Sequence, residues 1–188
     1  VYFNDFSTLP GNEWSNQSIT TSPSGRTFLG RFCNDEVIYT NQNLPPHIKL
    51  KIEFDLNIIA SWDGNGPGNE EFWKLAADGN TLLYTTFSNT GTNQSYPDNY
   101  PANYPPHTGA QEIDVLGYSY GYWGDSVYHL SLEIYHNSPS LQLSFMGIGL
   151  EGIDNESWGI DNFQISYSDI IADFSANANS GCIPFTVS

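Results

Sequence analysis

The stretch Ile48-Lys49-Leu50-Lys51-Ile52-Glu53-Phe54-Asp55-Leu56-Asn57-Ile58-Ile59 alternates apolar and polar residues as far as Ile58. In a strand, successive side chains point to opposite faces, so a strict period of two places one row in a core and the other in water. Ile48, Leu50, Ile52, Phe54, Leu56 and Ile58 form the inward row. Lys49, Lys51, Glu53, Asp55 and Asn57 form the outward one. The pattern predicts a half-buried antiparallel strand.

The same period recurs along the chain. Tyr128, Leu130, Leu132 and Ile134 share one face of a run from Val127 to His136, and Leu141, Leu143 and Phe145 share a face just beyond it. Phe72–Ala77 and Thr81–Phe87 flank Asp78-Gly79-Asn80, a tight-hairpin signal. Shorter strands are expected at Tyr2–Phe6, Thr27–Phe32, Val37–Thr40 and Gly159–Tyr167. Clusters of Asn, Gly, Pro and Ser separate these runs, and no segment carries a helical period. Roughly eight to ten strands without helical crossovers predict an all-β fold, an antiparallel jelly-roll β-sandwich. Two long loops remain, Ser61–Glu71 and Ser88 to about Gly117, and long loops on a rigid scaffold are where function concentrates.

Bulk properties narrow the class further. The 188 residues suffice for one sizeable core plus a short extension. Aromatics make up 15%, which argues against disorder. No apolar run reaches the ~18 residues needed to cross a bilayer, so membrane insertion is not expected. Val1 leads straight into the first strand pattern, as expected of a mature or trimmed chain. There are 21 acids against 5 bases, a net charge of −16, and no Lys or Arg follows Lys74. Phosphate backbones would be repelled, which excludes nucleic acid as a partner. An acidic surface of this kind is screened by salt or neutralised by bound cations. Cys33 and Cys182 are the two cysteines. They fit either one disulfide or two separate thiols, and they form no zinc or redox spacing.

Three stretches resemble known modules. Tyr2-Phe3-Asn4-Asp5-Phe6 with Trp14 is similar to the opening of jelly-roll carbohydrate-binding modules and MAM domains. Glu156-Ser157-Trp158-Gly159-Ile160-Asp161-Asn162-Phe163-Gln164-Ile165 resembles their closing strand. Phe54 through Ser61-Trp62-Asp63-Gly64-Asn65 and on to Asn89 resembles modules of large bacterial secreted and surface proteins. The resemblance covers residues 1–168. Residues 169–188 resemble a linker and the beginning of a PKD domain, through Ala172-Asp173-Phe174-Ser175-Ala176 and Gly181-Cys182-Ile183-Pro184-Phe185-Thr186-Val187. The resemblance implies an extracellular module, secreted or on a cell surface. It also implies a structural calcium tying the first strand to the last, with Asp5 and Asp161 at the matching positions.

Two loop constellations bear on function. Asp63, Asn65, Asn69 and Glu71 place oxygen side chains at spaced positions between glycines, a donor set suited to Ca2+, which takes six to eight hard oxygens from flexible loops. The aromatic run Tyr96, Tyr100, Tyr104, Tyr118, Tyr120, Tyr122 and Trp123 offers flat faces for sugar rings, with Tyr100, Tyr104, Trp123 and Asp98 as the expected ligand contacts. Catalysis finds no support: no GxSxG elbow occurs, the histidines lack metal spacing, and no pair of carboxylates is marked out for glycoside cleavage. The expected function is a non-catalytic, calcium-stabilised extracellular module that binds polysaccharide or cell-surface glycan within a larger protein. The alternative is a structural subunit of an adhesin or filament, pairing with copies of itself by strand addition through its C-terminal tail.

Overall fold

A computed structural model describes residues 1–68 and 71–169. Eleven strands and no helix make up the described chain: β1 (Tyr2–Asn4), β2 (Ile19–Thr21), β3 (Thr27–Phe32), β4 (Glu36–Asn41), β5 (His47–Ala60), β6 (Phe72–Ala77), β7 (Asn80–Thr86), β8 (Glu112–Ile113), β9 (Asp125–Tyr135), β10 (Leu141–Ile148) and β11 (Glu156–Asp169). They form two antiparallel sheets. One runs β2-β3-β11-β5-β9-β8, with β1 also paired to β11; the other runs β4-β10-β6-β7. The architecture is the expected antiparallel jelly-roll sandwich. The PKD-like segment, Cys182 and the tail-mediated strand addition all fall on residues 170–188, outside the described residues.

The inward row of β5 is the centre of the core. Leu50, Ile52, Phe54, Leu56 and Ile58 are fully buried, while Ile48 is exposed at the strand's first turn. Opposite them, Trp73, Leu75, Leu143 and Phe145 line the inner face of the smaller sheet. Aromatic contacts bridge the layers: Phe54 lies edge-on to Phe145 at 5.5 Å, and Trp73 meets Trp158 at 6.1 Å. Such pairs add about 0.5–1.5 kcal/mol each beyond the area they bury.

The chain ends are joined through ladder pairing and aromatic packing. β1 pairs with β11 through Tyr2↔Ile165 and Asn4↔Phe163. Phe6 packs on Trp14 at 5.3 Å, and Trp14 packs on Phe163 at 4.9 Å. The edge of β11 serves two partners in succession, β3 over Trp158–Ile160 and then β1 over Phe163–Ile165. A bulge between Asp161 and Gln164 separates them, with Asn162 at φ +49°. Asn tolerates that left-handed conformation better than most residues.

The ladder registers decide where the loops meet. Ala60 pairs with Glu156, Ile59 with Asp125, and Ile148 with Phe72. The end of β5, the start of β6, the start of β9, the end of β10 and the start of β11 therefore converge at one end of the sandwich.

Candidate functional site

Three carboxylates meet at that end. One oxygen each from Asp63, Glu71 and Glu156 lies within 4.8 Å of the others. Asp63 follows β5, Glu71 precedes β6, and Glu156 opens β11. Glu71 is 2% exposed and Glu156 is 1% exposed. No Lys or Arg among the described residues forms an ion pair with any of the three. The Asp63 amide donates to Glu71 Oε2 at 2.6 Å, and the Glu151 amide donates to Glu156 Oε2 at 2.8 Å. Burial pushes the Glu71 carboxyl up to about 9, and the charges of Glu156 and Asp63 add to the shift. Burial raises Glu156 as well. Two buried acids without a base beside them stay protonated or take up a cation. Hard carboxylate oxygens of this kind suit a calcium ion.

The cluster opens into a surface cleft of about 390 Å³ lined by Ser61, Asp63, Glu151, Asn155 and Glu156. Tyr120, Gly121, Tyr122 and Trp123 line the same cleft. Tyr120 and Trp123 exchange backbone hydrogen bonds of 2.8 and 3.0 Å around a two-residue turn, Gly121-Tyr122. Gly121 takes φ +62°, as such a turn requires. The turn pushes Tyr122 into solvent at 99% exposure and leaves Tyr120 and Trp123 half-exposed. Asp125 holds this segment in place from below. It is 1% exposed, and its carboxylate accepts the amides of Val115, Leu116 and Tyr118 at 2.9, 2.9 and 3.1 Å.

The structure divides the residues that the sequence groups together. Asp63 and Glu71 converge as expected, and Glu156 joins them from a distant strand. Asn65 does not: its Oδ1 accepts the Thr86 and Ser95 hydroxyls at 2.6 and 2.9 Å, and its Nδ2 donates to Ala102 O at 2.9 Å. It pins the long loop to β7 rather than facing the carboxylates. Neighbouring Gly64 explains the close fit, because a Cβ there would run into the Asn93 carbonyl. Asn69 lies outside the described residues. Asp5 and Asp161, expected to hold a separate calcium at the chain ends, lie apart from this cluster. Asp5 is exposed, accepts the amide and hydroxyl of Ser7, and its carboxyl is lowered chiefly by that amide. Asp161 is half-buried beside Asp55 on the outer face of the larger sheet; burial lifts its carboxyl to about 6, and the charges of Asp55 and Asp5 also act on it.

The aromatic run is likewise split. Tyr96 is wedged between Phe87 and Tyr128 at 4.9 and 5.2 Å. Tyr100 stands edge-on to Phe72 at 5.1 Å, and its amide donates to Tyr84 O. Tyr104 donates its hydroxyl to Asp98. Tyr118 lies under the Arg31 guanidinium at 5.0 Å. These side chains fasten loops to the flank of the sandwich. Of the four expected ligand contacts, only Trp123 lines the carboxylate cleft; Asp98 lines a separate one with Tyr96, Leu82 and Leu132. The clue that sequence reading overlooked is local: Tyr-Gly-Tyr-Trp is a turn that forces its flanking aromatics outward.

No protein-family model and no curated protein matches the chain. Among solved structures it is similar to a CBM35 from Paenibacillus barcinonensis, with 12% identity and a TM-score of 0.38 over 89% of this chain and 100% of that one. It is also similar to the Clostridium thermocellum N-terminal endo-1,4-beta-D-xylanase 10B, described as CBM22-1-GH10 modules complexed with xylohexaose. That match has 12% identity and a TM-score of 0.39 over 92% of this chain and 29% of the other.

Proposed function

We propose that the chain is a non-catalytic, calcium-assisted polysaccharide-binding module of an extracellular protein, with its site at the Tyr120–Trp123 turn. The observation that carries this reading is the pairing of outward aromatic faces with a buried carboxylate cluster across one open cleft. Sugar rings stack on the exposed faces of Trp123 and Tyr122. The exposed Glu151 carboxylate, lining the same cleft, offers hydrogen-bond acceptors to hydroxyls. A calcium ion at Asp63, Glu71 and Glu156 fastens the loops after β5 and before β6 to the start of β11. Extracellular modules bind calcium at about 10⁻⁴–10⁻³ M, concentrations that only an extracellular setting sustains.

The same geometry argues for binding without cleavage. Glycoside hydrolysis needs two carboxyls flanking the scissile bond, at least about 5 Å apart. Here Asp63, Glu71 and Glu156 each bring an oxygen within 4.8 Å of the others, an arrangement suited to sharing one cation rather than to flanking a bond.

The test combines melting with polysaccharide retention. Calcium should raise the melting temperature by several degrees, since a ligand specific to the folded state at a hundredfold excess over Kd adds about 2.7 kcal/mol. Sodium at equal ionic strength should not reproduce the shift, which separates specific binding from relief of the −16 charge. Affinity electrophoresis against a panel of neutral and acidic polysaccharides should show retention in calcium that weakens in chelator. A melt indifferent to both salts would remove the cation from the account, and mobility unchanged by every polysaccharide would remove the glycan.

A further inference from the structure

The larger sheet ends in an incomplete edge. β8 covers β9 only at Ser126 and Val127. The carbonyls of Asp125 and Val127 face that edge, since they accept the amides of Asp114 and Gln111. Backbone groups alternate sides along a strand, so the N–H and C=O of His129, Ser131, Glu133 and Tyr135 point the same way. Among the described residues no strand pairs with them. All four side chains are exposed on the outer face. An open edge of this length is a template for a further strand.

We propose that this edge is occupied by β9 of a second copy of the chain, running antiparallel about a two-fold axis at Leu132. Register singles out that arrangement. A two-fold centred on Ser131 would set Tyr135 of the second copy opposite Val127, a position that Gln111 and β8 already fill. Centred on Glu133, it would oppose two like carboxylates, which is destabilising. Centred on Leu132, it sets His129 opposite Tyr135 and Ser131 opposite Glu133, uses the whole open run, and opposes no like charges.

Local charge also favours this edge over the rest of an acidic surface. Lys49 pairs with Glu133 at 3.3 Å and Lys51 with Glu53 at 2.7 Å. His129 bonds Asp55 at 2.8 Å. Two of the five bases of a −16 chain thus sit beside the open run, which offsets repulsion between copies there. A contact of one strand on one strand falls short of the ~1,600 Å² of a standard interface, so the dimer forms only at high concentration. The two-fold reverses strand direction, which points the two Tyr120–Trp123 turns away from each other. Such a dimer would bridge two polysaccharide chains; that consequence rests on the proposed glycan site, whereas the dimer itself does not.

Sedimentation equilibrium of the full chain tests it. In calcium and moderate salt, the mass should climb toward twice the monomer value as the protein is raised to about 500 µM, where a contact of Kd ~100 µM is well populated. Ser131→Pro removes only an edge-facing N–H, which Pro tolerates at edges, and should hold the mass at the monomer. Amide exchange at His129, Ser131 and Glu133 should slow with concentration in the wild-type chain, a readout that stands even if the Pro variant misfolds. A monomer at the highest concentration, a dimer surviving in Ser131→Pro, or exchange indifferent to concentration would each overturn the proposal.

Discussion

Asp125→Ala is expected to cost about 3–4 kcal/mol, because three amides now bonded to a buried carboxylate would be left without partners. In a domain of this size that lowers the melting temperature by roughly 10 °C. The larger consequence is functional. Val115, Leu116 and Tyr118 lead directly into the Tyr120–Trp123 turn, and Asp125 is their common acceptor. Releasing them should loosen the aromatic side of the cleft, so polysaccharide retention falls even at temperatures where the variant is folded. Asp125→Asn keeps the shape and one acceptor oxygen, and should fall between the two. Thermal melts of both variants, with retention measured well below their midpoints, check the prediction. An Asp125→Ala chain that melts like wild type would show that the loop is held by other contacts.

The second large effect is on pH. Glu71 at about 9, the raised Glu156 and Asp161 at about 6 all lie above their unfolded values. Such acids favour the folded state fully at a pH below their unfolded values, near 4. They lose that contribution as pH rises through the folded ones. In chelator, stability should therefore fall from about pH 5 to pH 9, by on the order of 3 kcal/mol. Asp5, Glu53 and Glu112 have lowered carboxyls and act in the opposite sense, but only in more acidic solution. A calcium ion at the proposed site would bind the ionised cluster and displace its protons, so its stabilising effect should grow with pH. Glu156→Gln should flatten the chelator profile and abolish most of the calcium response. Melting scans from pH 5 to pH 9, with calcium and with chelator, decide it; parallel profiles in the two conditions would contradict a cation at this cluster.

The sandwich was largely legible because alternation is a local signal. β5, β9 and β10 lie where apolar residues recur at every second position, and the turn Asp78-Gly79-Asn80 marks the β6–β7 hairpin. β2 and β8 span three and two residues, too few for a period to register. The site was harder to read because it depends on register. Glu156 meets Asp63 and Glu71 only since Glu156 pairs with Ala60 across the β5–β11 ladder, and nothing near Glu156 in sequence announces that pairing. Asn65 looked like a cation ligand by spacing, yet the Thr86 and Ser95 hydroxyls claim its oxygen. Asp125 reads as an ordinary polar residue at a strand's start, and its role appears only once three amides are seen to converge on it. The aromatic run shows the same limit: Tyr100 and Trp123 are near in sequence, but the fold places them in different surroundings.

Glycan binding at the Tyr120–Trp123 turn is open to a direct measurement. Polysaccharide retention of Trp123→Ala, set beside Tyr104→Ala and wild type in saturating calcium, tests it most directly. Stacking of a base on an aromatic side chain is worth about 1–3 kcal/mol by alanine substitution; a sugar ring at the low end of that range makes Trp123→Ala lose roughly tenfold in affinity with its melt unchanged. Tyr104, which bonds Asp98 away from the cleft, should bind as wild type. Retention kept by Trp123→Ala and lost by Tyr104→Ala would move the site to the flank of the sandwich and contradict the account.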